Sequence, residues 1–443
     1  MTVPGTPVRN SERIFIMKKV STAELRAEAE KIVSGIELPR IPAAEYRLAP
    51  ENFSDIRDLL NSALKKCSGS GGGKVVLPAG RYRCSGPIVM QSRTELHLEE
   101  GCFVKFSPEP SLYLPVVPAR WEGIELMNYS PLIYGKDLTD VALTGKGIFS
   151  GGRELWKDFP AQQKADQQRT RTLEAEKLPL EKRVFGDGCF LRPPMIQIRD
   201  SERLLFEGIT CIDAPMWMLH PLYCSHVTIR DICMDSMYVC NDGVDVDSCT
   251  DVLIEKSHFR NGDDAVVLKA GRDADGLRVN RPNRRIVVRD CVFHECLHGF
   301  AIGSELSGGA EDVYVYDIRM EFIKWQAISF KSAPGRGGVI RRIHVWDIQV
   351  DKTNDHIISI VSEYPGVRTG TVKTCYRDFD LVNIHCNYAK NGFYLEGSAE
   401  LPLQDIRLID VEVDKADVPI SGDANTGTLS FENVRINGEE MTR

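Results

Sequence analysis

Asp242 in Cys240-Asn241-Asp242-Gly243-Val244-Asp245, Asp263 and Asp264 in Gly262-Asp263-Asp264, and His298 in Leu297-His298-Gly299 are side chains of the types that move protons. Asp242 and Asp263 lie 21 residues apart. That is close to one turn of a wound β structure, in which equivalent positions on neighbouring turns are about 4.8 Å apart. Three carboxylates so crowded cannot all ionise near neutrality, so at least one is expected to keep its proton. A protonated acid beside ionised carboxylates is the asymmetry that glycosidic hydrolysis needs, one group protonating the leaving oxygen while the others activate water. His298 falls 34 residues beyond Asp264. If the Gly-, Asn-, Arg- and Pro-rich stretch 272–284 is a long turn, His298 sits one coil further on and is expected to hydrogen-bond the acid.

Two other uses of these residues compete. Asp and Asn recur in turns, where their side chains bond neighbouring backbone, and Gly-Asp-Asp alone is ordinary turn chemistry. Acidic residues at 242, 245, 247, 263 and 264 also suit calcium, which takes six to eight oxygens. His298 and Lys331 favour catalysis, because neither ligates calcium, so no metal or cofactor is expected.

Positioning such a cluster requires a repeating scaffold, and the chain carries one. Short β-branched segments followed by an Asp-Ile or Asp-Cys step recur in His226 to Ile232, Arg285 to Cys291, Asp312 to Ile318 and Arg342 to Ile348, with related copies at Asp251 to Ile254, Phe379 to Ile384 and Ile406 to Val411. Their first inward residues align as Leu204, Val227, Val252, Ile286, Val313, Ile343, Phe379 and Ile406, at spacings of about 23 to 36 residues. Period-two alternation within each copy buries one face. A unit of that length with several short strands and no long helix predicts an all-β chain, a right-handed parallel β-helix; propeller blades need about 40 to 50 residues.

The ends and interruptions fit a solenoid. Ser54 is expected to cap a helix running to Lys66, with Ile56, Leu59, Leu60 and Leu64 covering the open end of the first coil. Residues 1–50 read as an extension, with a charged, exposed helix over Ser21 to Lys31, and 51–443 as the catalytic β-helix. The segment 152–187, charged and Gln-rich, interrupts the repeat as a lid or cleft wall, or as a solvated surface insertion.

Composition excludes other classes. Asp and Glu outnumber Lys and Arg 63 to 55, for a formal charge of −8, so a nucleic-acid partner is not expected. No run of about 18 apolar residues is present, so no membrane span is expected either. No secretory apolar region follows the start of the chain, which makes a cytoplasmic enzyme the expectation. The 13 cysteines are irregularly spaced without a CxxC pair, and are expected to be reduced fillers of a narrow core. Oligomeric state is not legible.

With these residues in view, the chain resembles glycoside hydrolase family 28, the polygalacturonases, and especially their bacterial exo-acting branch. The resemblance runs from about Asp55 to about 420 and includes Gly71 to Gly80, Arg120-Trp121-Glu122-Gly123, Asn128 to Pro131, Trp217 to Pro221 and Ile302 to Glu305. The family signatures Asn-Thr-Asp, Gly-Asp-Asp, Gly-His-Gly and Arg-Ile-Lys fall on Cys240-Asn241-Asp242, Gly262-Asp263-Asp264, Leu297-His298-Gly299 and Ser329-Phe330-Lys331. The resemblance implies that Asp263 is the general acid, that Asp242 and Asp264 deprotonate water for single-step inversion, and that His298 tunes the acid. It implies that Lys331 holds a sugar carboxylate, with Lys269 and Glu305 lining the site.

Asn241 and His220 join the expected substrate-binding set, His220 as a donor to a sugar hydroxyl or as a structural histidine. Trp121 and Trp217 are sugar platforms or, more conservatively, packing. Ser329 departs from the pattern by removing the arginine that would fork onto a galacturonate carboxylate. Arg336 restores that charge or is an exposed turn residue. The expected substrate is therefore a galacturonate-containing pectic oligosaccharide cut from its end, or alternatively a rhamnogalacturonan oligosaccharide. A calcium-dependent pectate lyase and a non-catalytic carbohydrate-binding solenoid are the readings from other classes.

Overall fold

A computed structural model describes residues 20–173, 177–364 and 370–443. The chain winds into a right-handed parallel β-helix whose strands pair almost entirely in parallel, each with its counterpart one coil away. The alignment drawn from the sequence is the observed register. Leu204 pairs with Val227, Val227 with Val252, Val252 with Ile286, and Ile286 with Val313. Val313 continues to Ile343, Phe379 and Ile406. All eight side chains are fully buried in one continuous apolar column. Burying a Val, Leu or Ile in this way contributes roughly 1.5–3 kcal/mol each.

The Asp of the Asp-Ile step has a specific local cause. Asp231, Asp290, Asp317, Asp347 and Asp410 all have φ between 52° and 55°, the left-handed region that Asp and Asn tolerate better than other non-glycine residues. Asp231 stands between two strands, and each of the other four bends the continuous strand that contains it. All 13 cysteines are free, and nine of them are buried in the column, as expected of small apolar fillers.

The capping helix runs Arg57–Gly69 and buries Leu60, Leu64 and Cys67. Its start differs from the expectation. Ser54 and Ile56 hydrogen-bond Arg83 through their backbones and so belong to the sheet edge. Asp55, not Ser54, accepts from the Arg57 amide, 3.1 Å away. Leu59 turns outward and is 44% exposed.

The sheet itself begins earlier than expected, since Glu45–Arg47 pairs with Gly73–Leu77. The helix Thr22–Ser34 is only half exposed. Leu25 and Ala29 pack on Tyr314, Tyr316 and Trp346 of the outer wall, and Arg26 reaches Asp317 at 2.7 Å and Asp347 at 3.1 Å.

A smaller sheet stands off the solenoid: the hairpin Val117–Trp121 and Ile124–Asn128, extended by Val184–Phe185. It shares its own core with Leu173, Leu191, Met216 and Trp217. The interrupting segment forms short helices over Arg153–Trp156, Phe159–Gln162 and Lys164–Thr170. These are anchored by the aromatic cluster of Trp156, Phe159, Tyr113 and Tyr129. Together the sheet and the helices make a wall beside the carboxylates.

Candidate active site

The strand Val244–Asp247 pairs with Val266–Lys269, which pairs with Phe300–Gly303. Val244 is opposite Val266 and Val266 opposite Phe300. The residues two positions before these, Asp242, Asp264 and His298, therefore stack on successive coils at the entry to one sheet. Backbone bonds confirm the stack: Gly243 donates to the Asp264 carbonyl at 2.9 Å and Ala265 to the His298 carbonyl at 3.0 Å. The spacing of 21 places Asp242 and Asp263 on adjacent coils without perfect stacking, as found: Asp264 is the stacked partner, and Asp263 stands one residue aside. The crossing is tight. A Cβ on Gly262 would lie 1.9 Å from the Tyr238 carbonyl oxygen, so only glycine fits before this pair.

Three environments separate the three carboxyls. Asp264 is 1% exposed and receives His298 Nδ1 at 2.5 Å and Lys331 Nζ at 2.9 Å. Burial alone would raise its carboxyl, but Lys331 and His298 hold it well below the usual range. Asp263, half-buried, has no ion-pair partner among the described residues within 4 Å. Burial, then the Asp264 charge, push it up to about 6 against Lys331 and His298. Asp242 is pushed up by burial and Asp263, with Lys269 at 3.7 Å opposing. His298 was expected to bond the acid; its Nδ1 bonds Asp264 instead, because Asp264 occupies the stacked position.

Lys331 likewise makes its closest contact with a carboxylate of the protein, while still lining the cleft. Lys269 and Glu305 are where expected, 3.2 Å apart on the cleft floor. Arg272 holds the other Glu305 oxygen at 3.1 Å, and these cations keep that carboxyl low against the opposing effect of burial. Asn241 and His220 are not cleft residues. Asn241 is fully buried and bonds Ser236 and the carbonyls of Ala214 and Met216, shaping the Asp242 loop. His220, also fully buried, lies between Gln197 at 2.9 Å and Asp247 at 3.3 Å. Trp121 is core, its Nε1 donating to the Arg192 carbonyl, whereas Trp217 lines the cleft.

The cleft has a volume of about 220 Å³ around Asp242, Asp263 and Asp264. Glu122 and Tyr364 also line it, and single-site reasoning on the sequence missed both. Glu122 sits at the hairpin turn and accepts from Gln167 at 3.0 Å and Arg171 at 2.6 Å, both from the interrupting segment. That segment is a cleft wall. The Glu-Gly pair between two apolar strands was the signal available: a Cβ on Gly123 would meet Glu305 Cγ at 2.9 Å and Arg272 Cβ at 2.7 Å.

A second cavity of about 430 Å³ adjoins the first through Lys331 and Tyr364. Trp325, Ser329, Asp355, His356, Ser359 and Tyr394 are among its walls. Ser329 pairs in register with Ala301 and Ser359, so no long side chain stands on its floor at these positions. Arg336 does not replace the missing arginine there. It is 3% exposed, bonded to Asp273 and to the Ser304 carbonyl.

Asp263, Asp264 and His298 offer ligand atoms within 4.8 Å of one another, but the Lys331 ammonium already occupies the cation position at Asp264.

Comparison with known proteins agrees with this geometry. A sequence profile described as glycosyl hydrolases family 28 matches residues 121–428. A probable polygalacturonase of Vitis vinifera is 27% identical over 353 residues, covering 75% of this chain and 66% of that protein. A probable polygalacturonase of Arabidopsis thaliana is 23% identical over 300 residues, covering 66% of this chain and 54% of that protein. The chain thus spans between half and two thirds of these relatives. Among solved structures, a hyperthermoactive exopolygalacturonase from Thermotoga maritima superposes with a TM-score of 0.87 at 33% identity, covering 94% of this chain and 96% of that one. A polygalacturonase from Erwinia carotovora shares the fold, with a TM-score of 0.62 at 18% identity over 90% of this chain and 98% of that one. On the profile match across most of its length, the chain belongs to family 28 of the glycosyl hydrolases.

Proposed function

We propose that the chain hydrolyses α-linked, galacturonate-containing pectic oligosaccharides from the chain end, with inversion at the anomeric carbon. The observation that carries this reading is the split between neighbours: Lys331 at 2.9 Å and His298 at 2.5 Å hold the Asp264 carboxyl low, while Asp263, with no ion-pair partner among the described residues, is pushed up to about 6 by burial and by Asp264. Asp263 gives that proton to the glycosidic oxygen as the C–O bond breaks. Asp264 and Asp242 take a proton from water, whose oxygen attacks the anomeric carbon from the opposite face, so an α-linkage yields a β-product. The displaced sugar leaves with a new hydroxyl.

End-on attack is supported by the wall of Glu122, Gln167 and Arg171, which crowds one side of the carboxylates, and by the name of the Thermotoga relative. A second reading, cleavage next to a neutral sugar as in rhamnogalacturonan oligosaccharides, is favoured by the cavity around Ser329. Its described lining contains no arginine, and its one lysine is paired with Asp264. A galacturonate carboxylate gains little there.

NMR of the fresh product from a panel of digalacturonate, trigalacturonate and rhamnogalacturonan disaccharide tests bond, mode and stereochemistry together. The β-anomer of a single terminal sugar is expected first. An α-product, or an unsaturated one, overturns the reading.

A further inference from the structure

Asp245 is a buried carboxyl that the hydrolytic scheme above leaves without a task. It follows Asp242 by three residues on the strand Val244–Asp247. Val244 and Val246 point into the core, so Asp245 points to the cleft side of the sheet, yet it is 0% exposed. Neither of its oxygens has a hydrogen-bond donor among the described residues. An ionised carboxylate left dry and unpaired costs several kcal/mol, and in practice such a group takes up a proton.

The neighbouring charges leave it no cation. The groups facing it are Asp242, Asp264 and Lys269, with Asp247 two residues on and His220 from the preceding coil. Lys331 sits on Asp264 at 2.9 Å. Lys269 sits between Glu305 at 3.2 Å and Asp242 at 3.7 Å. Arg120 is 2.7 Å from Asp247, which also takes His220. Each buried cation already has another carboxylate as its nearest anion. A protonated carboxyl, by contrast, needs only one acceptor for its O–H, and the carboxylate of Asp242 is in hydrogen-bonding reach.

We propose that Asp245 is a neutral carboxylic acid at pH 7 whose O–H is donated to Asp242, and that this bond keeps Asp242 ionised and aimed at the water. Asp245 is then a positioning residue that touches no substrate. It acts by placing the proton of a carboxyl pair on the buried member beneath the cleft. Without that donor the pair's proton would fall on Asp242, and the base would be lost. The role in catalysis rests on the hydrolase reading; the protonation state does not.

Infrared spectroscopy separates the two. In an Asp263→Asn background, which removes the acid's own signal, the carbonyl stretch of a protonated carboxyl is expected at pH 7. It should disappear when Asp245→Asn is added and persist when Asp242→Asn is added instead. A band that survives Asp245→Asn and vanishes with Asp242→Asn overturns the assignment, as does no band at all.

Kinetics then test the consequence. Asp245→Asn, which keeps an N–H donor, is expected to retain at least a tenth of kcat. Asp245→Leu, which removes the donor without leaving a void, should lower kcat about a hundredfold with KM within threefold. Equal kcat in these two variants overturns the positioning role. A wild-type protein inactive on every pectic substrate would sink the hydrolase reading and leave the infrared result standing.

Discussion

Lys331 Nζ lies 2.9 Å from Asp264 Oδ2 and 3.2 Å from its other oxygen, both groups buried. The ammonium therefore fixes the ionisation of the carboxylate next to the acid, as well as lining the cavity where a sugar would sit. Breaking a buried pair by removing one partner destabilises by about 3–5 kcal/mol. Lys331→Met is expected to lose stability in that range at pH 7. Asp264 is depressed in the folded state, so in the wild type its stabilisation is present above the unfolded carboxyl value and is lost as pH falls through the depressed one. In the variant the carboxyl rises, and the deficit in Tm should shrink as pH falls toward about 4. A deficit constant across that interval would contradict the pairing.

The acid makes the opposite prediction. Asp263 is raised to about 6 by burial and by Asp264, so its stabilisation of the fold is present below the unfolded carboxyl value and is lost as pH rises through about 6. Asp263→Asn is expected to cut kcat by roughly 10²–10⁴-fold. It should also melt higher than the wild type above pH 6, by up to about 3 kcal/mol at 1.4 kcal/mol per unit, with the gain vanishing toward pH 4. Thermal melts across this range, alongside kcat, check both effects on one variant.

The same groups set the pH profile. On the proposed roles the rate requires Asp263 protonated, so kcat/KM should fall about tenfold per unit above its apparent pKa, near 6 in the free enzyme. Because the carboxyls interact, the limbs belong to the cluster as a whole. A rate still climbing at pH 9 would instead fit proton abstraction by a basic residue, the lyase chemistry, and that activity would vanish with chelator. Hydrolysis indifferent to chelator is the expected outcome.

The scaffold was legible because its signal is local and repeated: Val227, Val252, Ile286 and Val313 stand in register as the alternation required. The cluster was legible by type, and its fine pairing was not. A spacing of 21 put Asp242 and Asp263 on adjacent coils without perfect stacking, but did not say which carboxylate stacks; Val244 pairs with Val266, which makes Asp264 the stacked one and sets Asp263 aside. Asn241 and His220 carried polar side chains in the right segments, yet each is turned inward to satisfy buried backbone or an Arg120–Asp247 pair. Glu122, Arg171 and Tyr364 come from excursions outside the repeat, and no periodicity relates them to the aspartates. Only the assembled side sheet and its helices bring Glu122 to the cleft, with Arg171 bonded behind it.

Ser329 offers a direct test of the substrate. It is 1% exposed, with small Ala301 and Ser359 as its neighbours on adjacent coils, so an arginine there has a floor to lie along. Ser329→Arg is expected to lower KM for digalacturonate by about tenfold, the worth of roughly 1.4 kcal/mol, and to raise it for the rhamnogalacturonan disaccharide. Equal effects on the two substrates would mean that this cavity does not read the sugar carboxylate.

The wall is the element that should decide where along a chain the enzyme cuts. Arg171, from the interrupting segment, holds Glu122 at 2.6 Å with its guanidinium mostly buried, and Gln167 holds the same carboxylate at 3.0 Å. These bonds tie the short helices to the hairpin turn, so neither can move aside without leaving a partly buried carboxylate short of donors. Arg171→Ala, with Gln167→Ala added, is expected to loosen the wall while Asp242 and Asp264 keep their own partners. kcat on a disaccharide should then change by less than about fivefold, since no group touching the scissile bond is altered. On a long polymer, the products should shift from a single terminal sugar toward internal fragments, seen as a faster fall in viscosity per bond broken. An unchanged ratio of viscosity loss to new reducing ends would show that the wall does not enforce attack from the end.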